Sequence, residues 1–219
     1  MAEHIATATD ILTLTQWFSP SYPIGAYAYS HGLEQAIDSG QVHDAATAQE
    51  WIADVLEFGA GRSDAIAVHL SFALSDLADI YLLDRKMRAL TPSAERLKEA
   101  DLQGKAFADI TRRIAGFDLL DLTYPVAAGQ AARLAGLPST LTVQFYLHAF
   151  VSNLVAAAMR RVPLGQSDGQ MIIRDLTPDC IEIARLTANA DFEDIATSAF
   201  LSDIASMQHE TQYSRIFRT

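Results

Sequence analysis

The chain has 219 residues, and its 16 Lys and Arg against 27 Asp and Glu give a formal charge of −11. Half of the residues are hydrophobic and a fifth are charged, a balance typical of a soluble globular protein. The acidity argues against a nucleic-acid or anionic-lipid surface, because such surfaces use Lys and Arg to neutralise phosphates. The single cysteine, Cys180, excludes a disulfide within the chain and a zinc site built on paired cysteines.

The same composition predicts one cytoplasmic domain over residues 1–219. The N-terminus has no basic region followed by an apolar run, so no secretory signal is visible. The most apolar stretch, Leu141 to Met159, contains four polar side chains, which suits a buried core helix better than a membrane span. No linker divides the chain, although its first half is the more acidic one.

Helical spacing of apolar residues covers most of the chain. Residues 140–161 begin with strand-like alternation, but the apolar run is too long for a strand and predicts a buried helix. We therefore predict an all-α, single-domain bundle of roughly eight to ten helices. The predicted helices begin at Asp10, Ser30, Asp44, Ser63 or Asp64, Leu77, Thr91-Pro92 and residues 140, 179 and 193, with further boundaries at Tyr124-Pro125 and Leu137-Pro138 and an irregular segment over 162–170.

A short motif suggests an alternative function, a helical hydrolase. Residues 165–169 fit Gly-x-Ser-x-Gly, in which Ser167 would be the nucleophile. That chemistry needs a strand-to-helix turn and a histidine base, whereas a helix precedes this motif and His209 is its only downstream histidine. A phosphate-binding loop is excluded, since Glu99 stands where the pattern around Gly104-Lys105 requires its first glycine.

The histidines do not predict a metal centre. None of the six has another histidine four residues away. His31 and Glu34 share a helix face, but two ligands are too few for a structural site. We therefore predict no bound metal, no cofactor and no catalytic residue.

Two segments do not fit a solvated surface. Residues 19–32 contain two prolines, two glycines, three tyrosines and no charged Asp, Glu, Lys or Arg, so they either pack into the core or form a contact surface. Residues 210–219 combine Tyr213, Ile216 and Phe217 with two arginines. Such a segment docks on a partner or on its own body, and we expect it to fray in the unbound protein.

Three motifs together resemble those of the urease accessory protein UreF family, in the expected order over nearly the whole chain. The departures are mild: Tyr22 stands where leucine is frequent, and Ala26, Ala28 and Thr219 replace a glycine and two serines. The motifs are Ser19 to Gly25 continued by Tyr29-Ser30-His31-Gly32-Leu33-Glu34, then Arg161 to Gln166 with Gly169-Gln170, and finally Arg215 to Thr219, with Gln103-Gly104 as a further match.

The resemblance implies an all-helical, non-catalytic protein that helps to insert nickel into apo-urease. Proteins of this family form homodimers and bind a second accessory protein, UreD, also called UreH. Through UreD they recruit the nickel-carrying GTPase UreG. The resemblance also implies that the C-terminal segment, residues 210–219, docks on the partner. We further predict a flexible N-terminus over residues 1–9.

We assign partner binding to the two outer motifs and a structural turn to the middle one. The predicted partner-binding residues are Ser19, Pro20, Pro23, Gly25, Tyr27, Tyr29, Ser30, His31, Gly32, Glu34, Tyr213, Arg215, Ile216, Phe217 and Arg218, and the predicted turn residues are Pro163, Gly165, Gln166 and Gly169.

Overall fold

The computed structural model describes residues 5–219. In that range every regular element is helical, so the prediction of an all-α bundle is confirmed. The α-helices are α1 (Ala8–Trp17), α2 (Leu33–Asp38), α3 (Ala45–Glu57), α4 (Ala60–Ala73), α5 (Leu77–Ala89), α6 (Ala94–Ala115), α7 (Tyr124–Ala135), α8 (Ser139–Ala158), α9 (Gln166–Leu186) and α10 (Phe200–His209), with 3₁₀ turns at Ala26–Ala28, Thr187–Asn189 and Phe192–Asp194.

The core forms around α4, which contacts α3, α5, α7, α8 and α9. Side chains of α4 from Ala65 to Val68 are fully buried. Small residues let α4 and α7 approach closely, because a Cβ at Gly129 would lie 2.5 Å from the Val68 carbonyl oxygen. Burial of apolar helix faces against one central helix supplies the main stabilisation of such a fold.

Helix α8 confirms the buried helix predicted for the ambiguous apolar stretch. It packs against α4, α7 and α9. Its length and composition would suit a membrane span, but 56% of the apolar window is buried inside the fold. The side chains facing inward, Val143, Leu147, Val151 and Leu154, are therefore core residues, as their spacing of three and four requires.

Several helices begin at other residues than the sequence predicts. Thr7 caps α1, and the Asp10 carboxylate accepts the Thr7 N–H at 2.8 Å, so Ala8 and Thr9 are helical rather than part of a flexible end. Met1–His4 lie outside the described residues. Ser63 is inside α4, where its hydroxyl donates to the Gly59 carbonyl at 2.8 Å and cannot serve as the cap.

The last two helices also differ from the prediction. Helix α9 begins at Gln166 and continues through Pro178, because its buried face of Ile172, Leu176 and Cys180 keeps helical spacing across the proline. A proline inside a helix removes one backbone hydrogen bond, and the buried contacts on both sides offset this loss. Helix α10 begins only at Phe200.

Candidate functional site

The two outer motifs, far apart in the sequence, meet at one place in the fold. The start of α2, the first turns of α6, the end of α8 and the end of α10 surround the last five residues of the chain. We call this arrangement the tail clamp. It consists of residues 215–219 and the side chains of Ser30, Glu34, Glu95, Glu99, Arg161 and His209.

Glu34 lies at the centre of the tail clamp and is 0% exposed. Its carboxylate accepts the backbone N–H groups of Ile216 at 2.8 Å and Phe217 at 2.9 Å. It also accepts a hydrogen bond from Arg161 at 2.8 Å and lies 3.1 Å from Nε2 of His209. Burial alone would raise the pKa of Glu34, but the bonds from the tail backbone, His209 and Arg161 outweigh it and lower that pKa.

His209 joins three helices. It is 0% exposed, and its Nδ1 lies 2.7 Å from a carboxylate oxygen of Glu95 on α6, while Nε2 faces Glu34 on α2. Donation to both carboxylates at once requires a proton on each ring nitrogen. Glu95 in turn pairs with Arg215 of the tail, so α2, α6 and α10 converge on the tail.

Thr219 is fully buried beside Ser30 and Glu99. The Ser30 N–H donates to the Thr219 carbonyl at 3.1 Å, and the Ser30 hydroxyl donates to the same oxygen. The Thr219 hydroxyl donates to Glu99 at 3.0 Å. Burial raises the pKa of Glu99, but Arg96 and His31 beside it outweigh this effect and bring that pKa to about 2.

Unusual backbone conformations place the first motif against α10. His31, with φ of 54°, has the only positive φ of a non-glycine residue in the described part of the chain, and Gly32 follows with φ of 76°. Strain of this kind costs about 1–3 kcal/mol and is often found at functional sites. A Cβ at Gly32 would lie 2.8 Å from the Ser206 nitrogen. Because of these two residues α2 starts at Leu33 and not at Ser30.

The tail alternates between buried and exposed side chains, as an extended segment does. Ile216 is 62% exposed, Phe217 is 5% exposed, Arg218 is exposed and Thr219 is buried. The Arg218 N–H donates to the carbonyl of Ala28 at 2.8 Å, which places exposed Tyr27 beside the tail. We call the exposed side chains of Tyr27, Tyr213, Ile216 and Arg218 the tail face.

The first motif packs partly into the core and lies partly at the surface, so both alternatives that its composition allowed are present. Tyr29, Ser30, Gly32 and Glu34 are buried, whereas Pro20, Pro23 and Tyr27 are exposed. Ser19 bonds to its neighbour Ser21, and Gly25 adopts a φ of 75° before the first 3₁₀ turn. A partner can touch the buried residues only after a change of conformation, so their role in partner binding remains a prediction.

The expectation that the C-terminal segment frays in the unbound protein is wrong for residues 216–219. Backbone N–H groups at 216 and 217 bond to a buried carboxylate, and the Phe217 ring packs into the core. The guanidinium of Arg160 lies over that ring at 5.5 Å. These contacts offset the backbone entropy that was expected to release the segment. The segment docks on its own body, and docking on a partner stays a prediction.

The middle motif forms a shorter turn than predicted. Pro163 and Gly165 lie in the connection between α8 and α9, but Gln166 and Gly169 belong to α9. The Gly165 N–H donates to the Asp168 carboxylate at 2.9 Å, which caps the helix. Gly169 is a packing residue, because a Cβ there would overlap the Met159 sulfur at the end of α8.

The geometry of a nucleophile elbow is missing at Ser167. This residue is exposed in the first turn of α9, and a helix precedes it where the elbow needs a strand. In residues 5–219 no hydrogen bond joins Ser167 to a histidine, and His209 is bound by two glutamates instead.

A cavity of about 440 Å³ lies behind the first motif and reaches Arg96 and Glu99. Aromatic side chains such as Trp17, Tyr124 and Phe145 form part of its walls, and Asp64 faces it with a carboxylate that accepts a hydrogen bond from Tyr146 at 2.7 Å. Burial raises the pKa of Asp64 to about 6, although the Tyr146 bond works against this shift. Within the described residues no group of three or more His, Cys, Asp or Glu is arranged to hold a metal ion.

The sequence did not assign Glu95, Glu99, Arg161 or His209 to the site. Arg161 belongs to the middle motif of the family resemblance. A carboxylate buried at position 34 needs cations from other parts of the chain, and this need was the available signal for its partners. The polar groups of the tail clamp are satisfied by one another. The arrangement therefore holds a backbone segment in place.

A family model described as UreF matches residues 42–177. Curated relatives named urease accessory protein UreF align over nearly the full chain. The Ruegeria pomeroyi protein is 54% identical over 217 residues, which cover 98% of this chain and 100% of the relative. The Roseobacter denitrificans protein is 50% identical, with 98% and 97% covered, and the Methylorubrum populi protein is 43% identical, with 96% and 99% covered. Since the family model matches more than half of the chain and these relatives align with nearly all of it, the chain belongs to the urease accessory protein UreF family.

Proposed function

We propose that this chain is a non-catalytic maturation factor that bridges UreD (UreH) and the GTPase UreG and so promotes nickel insertion into apo-urease. Family membership makes it a urease accessory protein. The observation that supports the bridging role is the tail clamp. It fixes a short backbone segment and leaves apolar and cationic side chains of that segment exposed to solvent. We infer that the tail face is where the chain meets UreD.

The tail face has the features of a binding epitope. Ile216 and Tyr213 are large exposed side chains, and Arg218 adds a cation on a chain of net charge −11. Tyrosine and arginine are enriched among the residues that contribute most to binding. A segment whose backbone is already fixed loses less conformational entropy on binding than a flexible one.

In this proposal UreG, and not this chain, binds and hydrolyses GTP. Gly104 and Lys105 lie in the interior of α6 and not in a loop before a helix, and a Cβ at Gly104 would overlap the Leu122 carbonyl oxygen. Isothermal titration of the purified chain with GTP and magnesium should show no binding. Micromolar affinity would contradict a purely bridging role.

A double substitution on the tail face tests the partner contact. Tyr213→Ala with Ile216→Ser keeps the backbone bonds to Glu34, so the fold and the melting temperature should not change. Loss of two anchors of about 1–2 kcal/mol each should weaken co-purification with UreD more than about tenfold and reduce urease activation with it.

A matched control is available on α5. Tyr81→Ala with Leu77→Ser removes a tyrosine and an aliphatic side chain that are 46% and 58% exposed, on a helix that packs against α4 and α7. This control should retain UreD. Full UreD affinity in the tail-face variant would contradict the proposed contact.

We further propose that the protein works in the cytoplasm as a homodimer. Light scattering on the purified chain should give twice the mass of one chain, and on the co-purified assembly a mass with two copies of each accessory protein. A monomer at micromolar concentration would refute the homodimer and leave the bridging role to the co-purification test.

A further inference from the structure

Glu34 has a role that its position in a helix does not explain. It occupies the first turn of α2 between Leu33 and Ala36, two fully buried apolar residues. A fully buried carboxylate is costly unless several donors satisfy it. Here four donors do so: two side chains and two backbone N–H groups of the tail.

The two backbone donors are what distinguish this carboxylate from an ordinary buried ion pair. One carboxylate binds consecutive N–H groups, those of Ile216 and Phe217. That contact fixes the direction of the backbone, and with it which side chain turns inward. Phe217 then enters the core, while Ile216 and Arg218 point to solvent.

We propose that Glu34 is the positioning residue of the tail: its charge sets the register of residues 216–219 and thereby presents the tail face to a partner protein. The partner chemistry that fits is an apolar recess for Ile216 and Tyr213 with carboxylates near it for Arg218. This inference rests on the proposed function for the partner, whereas the positioning of the tail by Glu34 stands without it.

Charge, and not only shape, is the feature under test. A glutamine at position 34 has nearly the same size, but it offers one acceptor oxygen and two N–H donors. Its amide group would therefore set a donor against Arg161, His209 or the tail N–H groups. Aspartate keeps the charge on a side chain one methylene shorter, so Glu34→Asp is the conservative variant.

Amide hydrogen exchange on the full chain measures the positioning directly. In Glu34→Gln the amides of residues 216–219 should exchange at least tenfold faster, while amides of α4 and α8 keep their protection. Glu34→Asp should restore part of the tail protection. Tail amides that stay protected in Glu34→Gln would overturn the proposal, and so would equal loss of protection in the tail and in the core.

A double-mutant cycle measures the effect on the partner. Glu34→Gln and deletion of 215–219 should each weaken binding of the co-purified accessory protein about tenfold or more. Glu34→Gln should add nothing in the truncated chain, because no tail is left to position. Additive losses would mean that Glu34 supports the fold in general, and would overturn the proposal.

The two measurements separate failure of this inference from failure of the proposed function. Exchange needs no partner, so it decides the positioning even if wild-type chain binds no accessory protein. A tail released by Glu34→Gln with unchanged partner binding would overturn the presentation of the tail face.

Discussion

The first motif, which supplies Ser30 and Glu34 to the tail clamp, and the segment 163–169 are both short, glycine-containing and close to the start of a helix. They differ in how far along the chain their contacts reach. The carboxylate of Glu34 bonds to residues 182 and 183 positions away in sequence, while Asp168 caps its helix through a residue three positions away. The contact of Asp168 is with a near neighbour in sequence and stabilises local structure. The contacts of Glu34 are with residues far along the chain, and they bring distant segments together into a site.

The largest expected effect is at Gly32, which lies between Ser30 and Glu34 of the tail clamp. Gly32→Ala must place a Cβ at positive φ and also 2.8–2.9 Å from backbone atoms of α10, so we expect a loss of about 3–5 kcal/mol. Gly40→Ala is a matched control, since Gly40 has φ of 79° but nothing within 4 Å of its added Cβ, and should lose only about 1 kcal/mol. Urea unfolding of both variants measures the difference. Equal losses would show that α10 does not restrict the site.

The next effect is the acid sensitivity of the tail clamp. The pKa of Glu99 is about 2 in the fold against 4.5 for a free carboxyl. A lowered pKa stabilises the fold above pH 4.5, and this contribution, about 3 kcal/mol, is lost as pH falls from 4.5 towards 2. Glu99→Gln should therefore flatten the pH dependence of the unfolding free energy in that window. Glu182→Gln, at an exposed ion pair with Arg185 that solvent screens, should change it much less.

A smaller effect is expected at Gly169, where the middle motif packs against the end of α8. Gly169→Ala forces the flexible Met159 side chain to move and brings a Cβ 3.2 Å from Val155. The better helix propensity of alanine offsets part of this cost, so the net loss should be about 1 kcal/mol. Thermal unfolding should show a modest decrease in melting temperature. A loss as large as that of Gly32→Ala would mean that the two regions are equally constrained.

The smallest effect is expected at Ser167. The residue is exposed, so Ser167→Ala should change the unfolding free energy by less than about 0.5 kcal/mol and leave urease activation intact in a co-expression assay. A nucleophile would respond with a loss of several orders of magnitude in turnover. Such a loss would restore the hydrolase alternative and remove the contrast between the two regions.

Periodicity was sufficient for the existence of most helices and weak for their ends. The spacing of apolar residues predicted α3, α5 and α8 closely. The starts of α4 and α9 were missed because tertiary contacts decide them. Gly61 lies in the first turn of α4, where the helix passes so close to Leu56 that a Cβ would lie 2.5 Å from its carbonyl oxygen.

The site was predictable in part for the same reason. Unusual composition drew attention to residues 19–32 and to the tail, whereas Glu34 was assigned to the site through the family resemblance. Nothing local marks His209 or Glu95 as their partners, since these residues lie on α10 and α6. Their contribution comes from chain topology, which a single sequence does not display.

The distance along the chain between Glu34 and its tail ligands also fixes when the tail clamp can form. During synthesis α2 emerges first, and about 180 further residues must be made before Ile216 and Phe217 reach Glu34. Closing a loop of this length also costs conformational entropy. This cost is offset only when the rest of the chain is already largely folded. A chain truncated before Ile216 thus has its core helices but lacks two of the four donors to the carboxylate at position 34. In the proposed assembly, the tail face is then displayed only by chains whose synthesis has passed residue 217, so that partners are not engaged by unfinished copies.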